Sequence, residues 1–163
     1  METQQTTHII FDFFAADHDR LDTYLSEFKR LKGSDFPAAK NYFRSFLKGL
    51  KRHIVWEEDV LFPVFEKKLG MANHGPTAVM REEHRRIGAW LDCIHEKVRK
   101  ADPLTDSEEE QLLEILGAHN QKEEKVLYPA IDQLISKQEA AEIFRAMEAI
   151  PAERYETCCG GHK

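Results

Sequence analysis

The chain has 163 residues, of which 42% are hydrophobic and 32% charged, with a formal net charge of −6. A chain of this length can bury roughly 70% of its unfolded surface, so we expect one domain with a sizeable core. Lysine and arginine are scattered among acids, which disfavours nucleic-acid and membrane-surface partners, and no apolar run approaches the roughly 20 residues of a membrane span. Three cysteines and an N-terminus without signal-peptide features predict a cytoplasmic protein.

Two helices are predicted for the first half of the chain. Apolar residues that recur at three- and four-residue multiples indicate a helix over about 7–31, capped by Thr6 or Thr7. A second start signal, Ser34 or Asp35 with Pro37, opens a long helix that continues to about residue 70. Pro63 lies inside this helix, where it cannot donate to the carbonyl four residues earlier, so we expect a kink there.

Three more helices are predicted for the second half. Pro76 opens a third helix that ends before Asp102, and a fourth spans about 106–134 with a second kink at Pro129. A short fifth helix spans 137–149. Two capping boxes, in which a hydroxyl and a glutamate satisfy a helix N-terminus, are predicted at Thr105 with Glu108 and at Ser136 with Glu139.

These elements predict an all-α fold, an up-and-down antiparallel four-helix bundle with a short extra C-terminal helix. We expect the domain to cover residues 1–150, with 7–70 and 76–135 as the two halves of a repeat. Residues 151–163 are mostly polar and include two adjacent cysteines, so we predict a flexible tail there.

One stretch of sequence occurs twice. The residues His53–Pro63 return in similar form as His119–Pro129, an offset of 66 residues. The same offset superposes residues 17–21 on 83–87, which places a histidine 35 residues before each copy. One half of the chain is therefore a repeat of the other.

The repeated stretch carries residues that can bind a metal. On a helix, His53 and Glu57 lie about 6 Å apart along the axis and roughly 40° apart in azimuth, close enough for one metal centre. His119 and Glu123 repeat this spacing, and a histidine lies on the apolar stripe of each of the other two long helices. Four imidazoles and two carboxylates suit iron, zinc or manganese better than calcium or magnesium. The candidate ligands are His18, His53, Glu57, His84, His119 and Glu123.

Other readings of these residues are weaker. Glu58 and Glu124 are rotated about 140° from their histidines, so we assign them to the outer surface or to contacts behind the ligands. A duplication preserved only for packing explains the repeated leucines, but six buried unpaired polar groups would cost several kcal/mol. A ferritin-type site needs Glu-x-x-His pairs. The sequence has no such pair, because the residues three positions before the four histidines are Ala15, Leu50, Arg81 and Leu116.

The pattern resembles the hemerythrin-like, or HHE cation-binding, domains, which place a histidine on helix one, His-x-x-x-Glu on helix two, and both again on helices three and four. The resemblance covers about residues 8–135, and the Leu-aromatic-Pro continuation after each motif strengthens it. It implies a non-haem, carboxylate-bridged di-iron centre in which zinc or manganese could substitute. The resemblance assigns His18 and His53 to one iron, His84 and His119 to the other, and Glu57 and Glu123 to both.

The sequence departs from the oxygen-carrying hemerythrins at helix three. Those proteins have His-x-x-x-His there and an aspartate in the last motif, whereas His84 is followed four residues later by Gly88. We therefore expect an open position on the metals and a reaction with O2, nitric oxide or peroxide rather than simple carriage. The alternatives are iron handling, as in family members that repair iron-sulfur centres, and iron or oxygen sensing with an unidentified protein partner. The cysteine-bearing N-terminal domain of the repair proteins is not found in this sequence.

The remaining reactive residues have plainer interpretations. We predict that His95 and the other histidines outside the ligand set make surface or packing contacts, and that Cys93 is a core or boundary residue. Cys158 and Cys159 are interpreted either as free thiols or, with His162, as a thiol relay or soft-metal clip. The aromatic residues expected in the core, some of them lining the metal pocket, are Phe14, Trp56, Phe62, Trp90 and Tyr128.

Overall fold

The computed structural model describes residues 8–71 and 74–156. Within these ranges the chain is helical without strands, which confirms the all-α prediction, and no helix there is long and apolar enough to cross a membrane. Two of the predicted long helices are each divided by a π-helical turn. The elements are α1 (Ile9–Leu31), α2 (Phe36–Trp56), π1 (Glu57–Leu61), α3 (Phe62–Leu69), α4 (Pro76–Arg99), α5 (Asp106–Lys122), π2 (Glu123–Leu127), α6 (Tyr128–Leu134), α7 (Lys137–Glu148) and α8 (Ala152–Glu156).

The N-terminus of α1 is capped by a residue from the other end of the domain. The carboxylate of Asp132, on α6, accepts hydrogen bonds from the backbone N–H groups of Ile10 at 2.9 Å and Phe11 at 3.0 Å. These N–H groups have no partner within a helix, and a carboxylate also suits the positive end of the helix dipole. The preceding residue His8 makes no side-chain cap, and the predicted threonine caps at 6–7 lie outside the described residues.

A π-helical turn precedes each proline of the repeated stretch. Pro63 has no N–H to donate, and π1 widens the helix before it, so that Phe62 N–H bonds to the carbonyl of Glu57. The turn π2 repeats this arrangement before Pro129, where the corresponding N–H bonds to the carbonyl of Glu123. The disturbances predicted at the prolines therefore take the form of π turns, and each turn begins at a candidate metal ligand.

Two hydrophobic clusters fill the interior, and the candidate ligands lie between them along the helices. On α1, for example, His18 separates Phe14 of one cluster from Leu21 of the other. The first cluster is formed by α1, α2, α4 and α5, and the second mainly by α1, α3, α6 and α7 with both π turns. Large side chains fully buried in these clusters are Phe28, Phe43, Phe46 and Leu91 in the first, and Ile10, Phe14, Phe62 and Tyr128 in the second.

The predicted helix caps have mixed outcomes. Asp35 caps α2, because its carboxylate accepts from the N–H of Ala38 at 3.2 Å. The box that starts α7 is confirmed in both directions, since Ser136 and Glu139 each accept a hydrogen bond from the other's backbone N–H. These two caps depend on residues close in sequence, which is why the sequence alone predicted them.

The capping box predicted at Thr105 with Glu108 is wrong, because both side chains have other partners. Thr105 Oγ1 donates to Glu109 at 2.8 Å and lies 3.0 Å from Lys32 Nζ. Glu108 forms an ion pair with Lys97 at 2.6 Å. Long-range contacts with α1 and α4 thus replace the local cap of α5.

The first part of the segment 151–163, which was predicted as a flexible tail, is helical. Residues 152–156 form the short helix α8, which is held against the turn π1 and the end of α2. Arg154 pairs with both carboxylate oxygens of Asp59 at 2.9 Å, and Trp56 Nε1 donates to the Tyr155 hydroxyl at 3.1 Å. Both cysteines of the tail lie outside the described residues.

Burial corrects part of the predicted core. Cys93 is exposed rather than in the core or at its boundary, because the buried positions of α4 around it are 91, 94 and 98. Trp56 and Trp90 are only half-buried at the edges of the two clusters. The aromatic residues predicted in the core that are fully buried are Phe14, Phe62 and Tyr128.

Candidate metal centre

The structure brings the six candidate ligands together in the interior. All six are buried, and the two glutamates have no exposed surface. Each glutamate reaches one histidine from each half of the repeat through the imidazole Nε2 atom. The Nε2–Oε1 distances are 3.5 Å from His53 and 3.3 Å from His84 to Glu57, and 3.3 Å from His18 and 3.2 Å from His119 to Glu123.

The donor atoms of this cluster fit two cations. Within the described ranges, buried atoms without a hydrogen-bond partner include Glu57 Oε1, His84 Nε2 and both carboxylate oxygens of Glu123. Leaving such groups unpaired is costly, whereas metal coordination would satisfy them. Ligand atoms within 4.8 Å of one another form two groups, and both groups include Glu123. The groups are His18, His53 and Glu123, and Glu57, His84, His119 and Glu123.

Each histidine is held from behind by a further carboxylate. The four Nδ1 atoms point away from the centre and each lies near an acidic side chain. A carboxylate at Nδ1 fixes the ring orientation and favours the tautomer whose Nε2 lone pair is free for a metal. The Nδ1–oxygen distances are 2.8 Å from His53 to Asp17, 2.6 Å from His84 to Glu58, 3.1 Å from His119 to Glu83 and 3.4 Å from His18 to Glu124.

These four carboxylates follow the sequence repeat. Glu58 and Glu124 lie outside the inner group, and each contacts a histidine of the opposite half, His84 and His18 respectively. Of the two positions that the sequence left open for these glutamates, the structure has the one behind the ligands. Asp17 and Glu83 contact the second histidine of their own half, and sequence reasoning assigned them no role. The sequence did contain a pattern that points to these two residues, because each is an acid that directly precedes a histidine at the same place in the repeat.

The two halves of the centre differ at one aromatic residue. The hydroxyl of Tyr128 donates to Glu57 Oε2 at 2.8 Å and lies 3.2 Å from His53 Nε2 and 3.4 Å from His18 Nε2. The residue at the equivalent place in the repeat is Phe62, whose ring stacks on His84 of the second histidine pair. One metal position therefore faces a hydroxyl and the other an apolar ring.

The two inner glutamates have opposite pKa shifts. Burial raises the pKa of Glu57, and the nearby charge of Glu123 raises it further. Burial also acts to raise the pKa of Glu123, but the charge of His119 and contacts with His18 outweigh it, so this pKa lies well below its ordinary value. Of the two carboxyl groups, Glu123 is therefore the stronger acid in the metal-free site.

Two histidines of the metal-free site favour the protonated form. Burial lowers the pKa of His18, but Glu123 and Glu57 outweigh it and raise the pKa to about 9. Burial likewise lowers the pKa of His84, but the carboxylates of Glu57 and Glu58 raise it to about 10. A cation that binds at Nε2 must displace these protons.

The other histidines are apart from this cluster. His95 is half-buried and packs against Phe43, with ring centroids 6.1 Å apart. His8 and His74 are exposed, in agreement with the predicted surface or packing role. His162 lies outside the described residues.

Comparisons with known proteins agree with this geometry. An uncharacterized hemerythrin-like protein of Schizosaccharomyces pombe is 27% identical over 140 residues, which cover 85% of this chain and 67% of that protein. The iron-sulfur cluster repair protein YtfE of Edwardsiella ictaluri is 47% identical over 45 residues, or 28% of this chain and 20% of that protein. YtfE of Yersinia pestis is 32% identical over 59 residues, or 36% of this chain and 27% of that protein.

The family match is much longer than the matches to the repair proteins, which span only a fifth to a quarter of those proteins. No solved structure has significant similarity to the chain. The model of the hemerythrin HHE cation-binding domain matches residues 9–131, a range that includes all six candidate ligands and the carboxylates behind them. The chain therefore belongs to the hemerythrin HHE cation-binding domain family.

Proposed function

We propose that this protein is a non-haem di-iron protein that binds or reacts with O2 or a related small oxidant, such as nitric oxide or peroxide. The observation that carries the proposal is the convergence of four imidazole Nε2 atoms on two buried carboxylates that lack sufficient hydrogen-bond partners. We include in it the up-and-down four-helix bundle of the family, with α1, α2–α3, α4 and α5–α6 as the long helices.

In this proposal the two glutamates hold both metals and each histidine pair holds one. The donor set is rich in imidazole, which suits iron, zinc or manganese. Two ferrous ions bound there would supply electrons for the reduction of a small oxidant, whereas zinc has no redox chemistry. The proposed ligands are His18 and His53 for one metal, His84 and His119 for the other, and Glu57 and Glu123 for both.

The surrounding side chains would control protons and water. Burial and the charges of Glu123 and Glu57 raise the pKa of Tyr128 well above its ordinary value, so its hydroxyl stays protonated and can donate a hydrogen bond. The ring of Phe14 packs on His53 at a centroid distance of 5.2 Å, and Phe62 stacks on the other side of the centre. These apolar rings would keep bulk water from the reacting molecule.

Anaerobic reconstitution with ferrous iron tests this function. Metal analysis should give two irons per chain, and absorption spectra should change after separate additions of O2, nitric oxide and peroxide. The oxidant that produces the fastest change identifies the preferred ligand. Zinc alone in protein purified under iron-replete conditions, with no spectral response of the iron-reconstituted protein, would contradict the proposal.

Iron handling is the second candidate, and the short matches to iron-sulfur cluster repair proteins favour it. In this role the centre would release iron to a damaged cluster rather than turn over an oxidant. Incubation of the iron-loaded protein with a cluster-damaged dehydratase separates the two functions. Recovery of dehydratase activity with loss of iron from this protein supports repair, and rapid turnover with a reductant supports the oxidant reaction.

The partner and location remain part of the proposal. We propose a small diatomic or peroxide ligand, no nucleic-acid or membrane partner, and a cytoplasmic site of action, on the basis of the acidic composition and scattered basic residues. A protein partner that supplies electrons or accepts iron is also compatible with this function. Affinity purification of the tagged protein identifies its protein partner, and fractionation of cells shows whether the protein is cytoplasmic.

A further inference from the structure

A basic cavity lies on the surface behind one histidine of the metal centre. It has a volume of about 630 Å³ and is bounded by α1, α2 and α8. Although the chain carries a net charge of −6, the ionisable residues that line this cavity are mostly cationic. Two tyrosines form part of its walls. The basic residues are Arg20, Lys48, Lys51 and Arg52, the acidic residue is Glu156, and the tyrosines are Tyr24 and Tyr155.

Arg52 is held in place without a matching anion. Its guanidinium lies 4.6 Å from the ring centroid of Trp56, and Trp56 in turn donates to the hydroxyl of Tyr155. The buried Nε of Arg52 has no hydrogen-bond partner in the described part of the chain. Within the same part of the chain, neither Arg52 nor Lys48 or Lys51 forms a salt bridge. A buried unpaired guanidinium N–H is costly unless an acceptor satisfies it.

Arg20 connects the same cavity to the metal centre. Its guanidinium donates to Asp17 Oδ1 at 2.5 and 3.0 Å, and the other oxygen of Asp17 lies 2.8 Å from His53 Nδ1. The side chain passes over Gly49, where an added Cβ would lie 3.6 Å from Arg20 Nη2 and 2.4 Å from a methyl group of Leu21. Since an added Cβ would collide with Leu21, α1 and α2 pack closely at this point, and the Arg20 guanidinium lies beside Gly49.

We propose that this cavity binds a small organic or inorganic anion through carboxylate or phosphate oxygens, and that its occupancy alters the metal centre through Arg20, Asp17 and His53. The guanidinium of Arg52, whose Nε has no hydrogen-bond partner in the described residues, and the ammonium groups of Lys48 and Lys51 provide the donors that such oxygens prefer. The cavity is large enough for a small metabolite, and aromatic walls add contact area for its apolar part.

The coupling has a direct physical route, and this part rests on the proposed function. An anion beside Arg20 competes with Asp17 for the guanidinium. Asp17 then bonds more strongly to His53 Nδ1, which increases electron donation from His53 to its metal. By linkage, the metal changes the affinity for the anion by the same factor as the anion changes the affinity for the metal.

Titration of the metal-free full-length chain tests the binding site. Inorganic phosphate and succinate serve as separate probes, and the Nε–H signals of Arg20 and Arg52 are followed by NMR. We expect saturable shifts of both signals, and the tighter probe identifies phosphate or carboxylate as the preferred group. Shifts that do not saturate with either probe would overturn the site.

Charge-matched variants separate a site from general attraction. The double variant Lys48→Gln with Arg52→Gln should weaken binding of the better probe about tenfold or more, because two charged donors are lost. The double variant Arg86→Gln with Lys100→Gln, which removes two exposed cations at and beside α4, should leave the affinity unchanged. Equal weakening in the two variants would overturn a specific site.

The coupling is tested on the iron-loaded protein with succinate. We expect succinate to shift the absorption spectrum of the centre and the variant Arg20→Gln to abolish that shift. An unchanged spectrum at saturating succinate would overturn the coupling. Failure to load iron would instead contradict the proposed function, and the titration of the metal-free chain would still decide the anion site.

Discussion

The two halves of the centre share a framework but differ in the residue that faces the metal. In both halves a histidine pair, an inner glutamate and two outer carboxylates occupy equivalent places of the repeat. Tyr128 brings a hydroxyl to both histidines of the first pair, whereas Phe62 stacks an apolar ring on His84 of the second, with an interplanar angle of 8°. The duplication thus provides the ligands, and the hydroxyl of Tyr128 is one difference between their surroundings.

The same comparison applies to the outer ends of the two halves. Asp132 caps the backbone at the start of α1, while Glu66, its equivalent in the repeat, accepts from the side chains of Thr77 at 2.8 Å and Arg81 at 3.0 Å. Both acids tie the end of a repeated helix to the start of a histidine-bearing helix. Asp132 and Glu66 therefore both connect two helices, but Asp132 accepts from backbone N–H groups and Glu66 accepts from side chains.

Loss of the shared carboxylate should have the largest effect. Glu123 belongs to both groups of ligand atoms, so we expect Glu123→Ala to lose most of the metal from both positions. Glu124→Ala removes only the carboxylate behind His18 and should weaken metal affinity about 10–100-fold. Metal analysis after gel filtration compares them, and melting curves of the metal-free variants detect misfolding. Equal losses would contradict the distinction between inner and outer glutamates.

Removal of the hydroxyl should separate reaction from metal binding. Tyr128→Phe keeps the ring and removes only the hydroxyl, so metal content should be retained while the reaction with the oxidant slows by ~100-fold or more. Stopped-flow absorbance after mixing the reduced protein with O2 measures the rate. The double variant Tyr128→Phe with Phe62→Tyr moves the hydroxyl to the other half. Full recovery of the rate in that variant would show that the halves are interchangeable.

Metal loading should release protons. His18 and His84 have pKa values of about 9 and about 10 in the metal-free protein, so both carry a proton at neutral pH. We expect about two protons to leave these histidines on loading at pH 7, and metal affinity to fall as the pH is lowered further. A pH indicator in weak buffer gives the number. Loading without proton release would contradict binding at these Nε2 atoms.

The end caps should give the smallest effects. Asp132→Ala leaves two N–H groups of α1 without a cap and should lower the free energy of unfolding by about 1–2 kcal/mol. Glu66→Ala removes an ion pair with the partly exposed Arg81 and leaves the buried Thr77 hydroxyl without its acceptor, so it should cost about 1–3 kcal/mol. Urea unfolding of the metal-free variants measures both. An unchanged free energy of unfolding in either variant would contradict the contact assigned to that residue.

The helices and the inner cluster could be predicted because they depend on local spacing. A histidine and a glutamate four residues apart share a helix face, as the 3.5 Å contact of His53 with Glu57 illustrates. The repeat then placed two such pairs beside His18 and His84. The structure brings these side chains together, and metal binding by them remains a prediction.

The features that sequence reasoning missed depend on distant contacts. Asp132 caps a helix that starts 122 residues earlier, and Glu58 reaches His84 across the two halves. Thr105 resembles a local cap, but Glu109 and Lys32 engage its hydroxyl. Periodicity gives the face of a helix on which a side chain lies, but the partner on that face is set by how the helices pack.

Mössbauer spectroscopy of the iron-loaded protein, combined with iron analysis per chain, tests the central claim most directly, because it reports the surroundings of each iron and their relative amounts. We predict two iron environments in equal amounts, one beside Tyr128 and one beside Phe62, and the loss of both signals in Glu123→Ala. A single iron per chain, or a pair of signals that persists in Glu123→Ala, would contradict a centre shared by the two halves of the repeat.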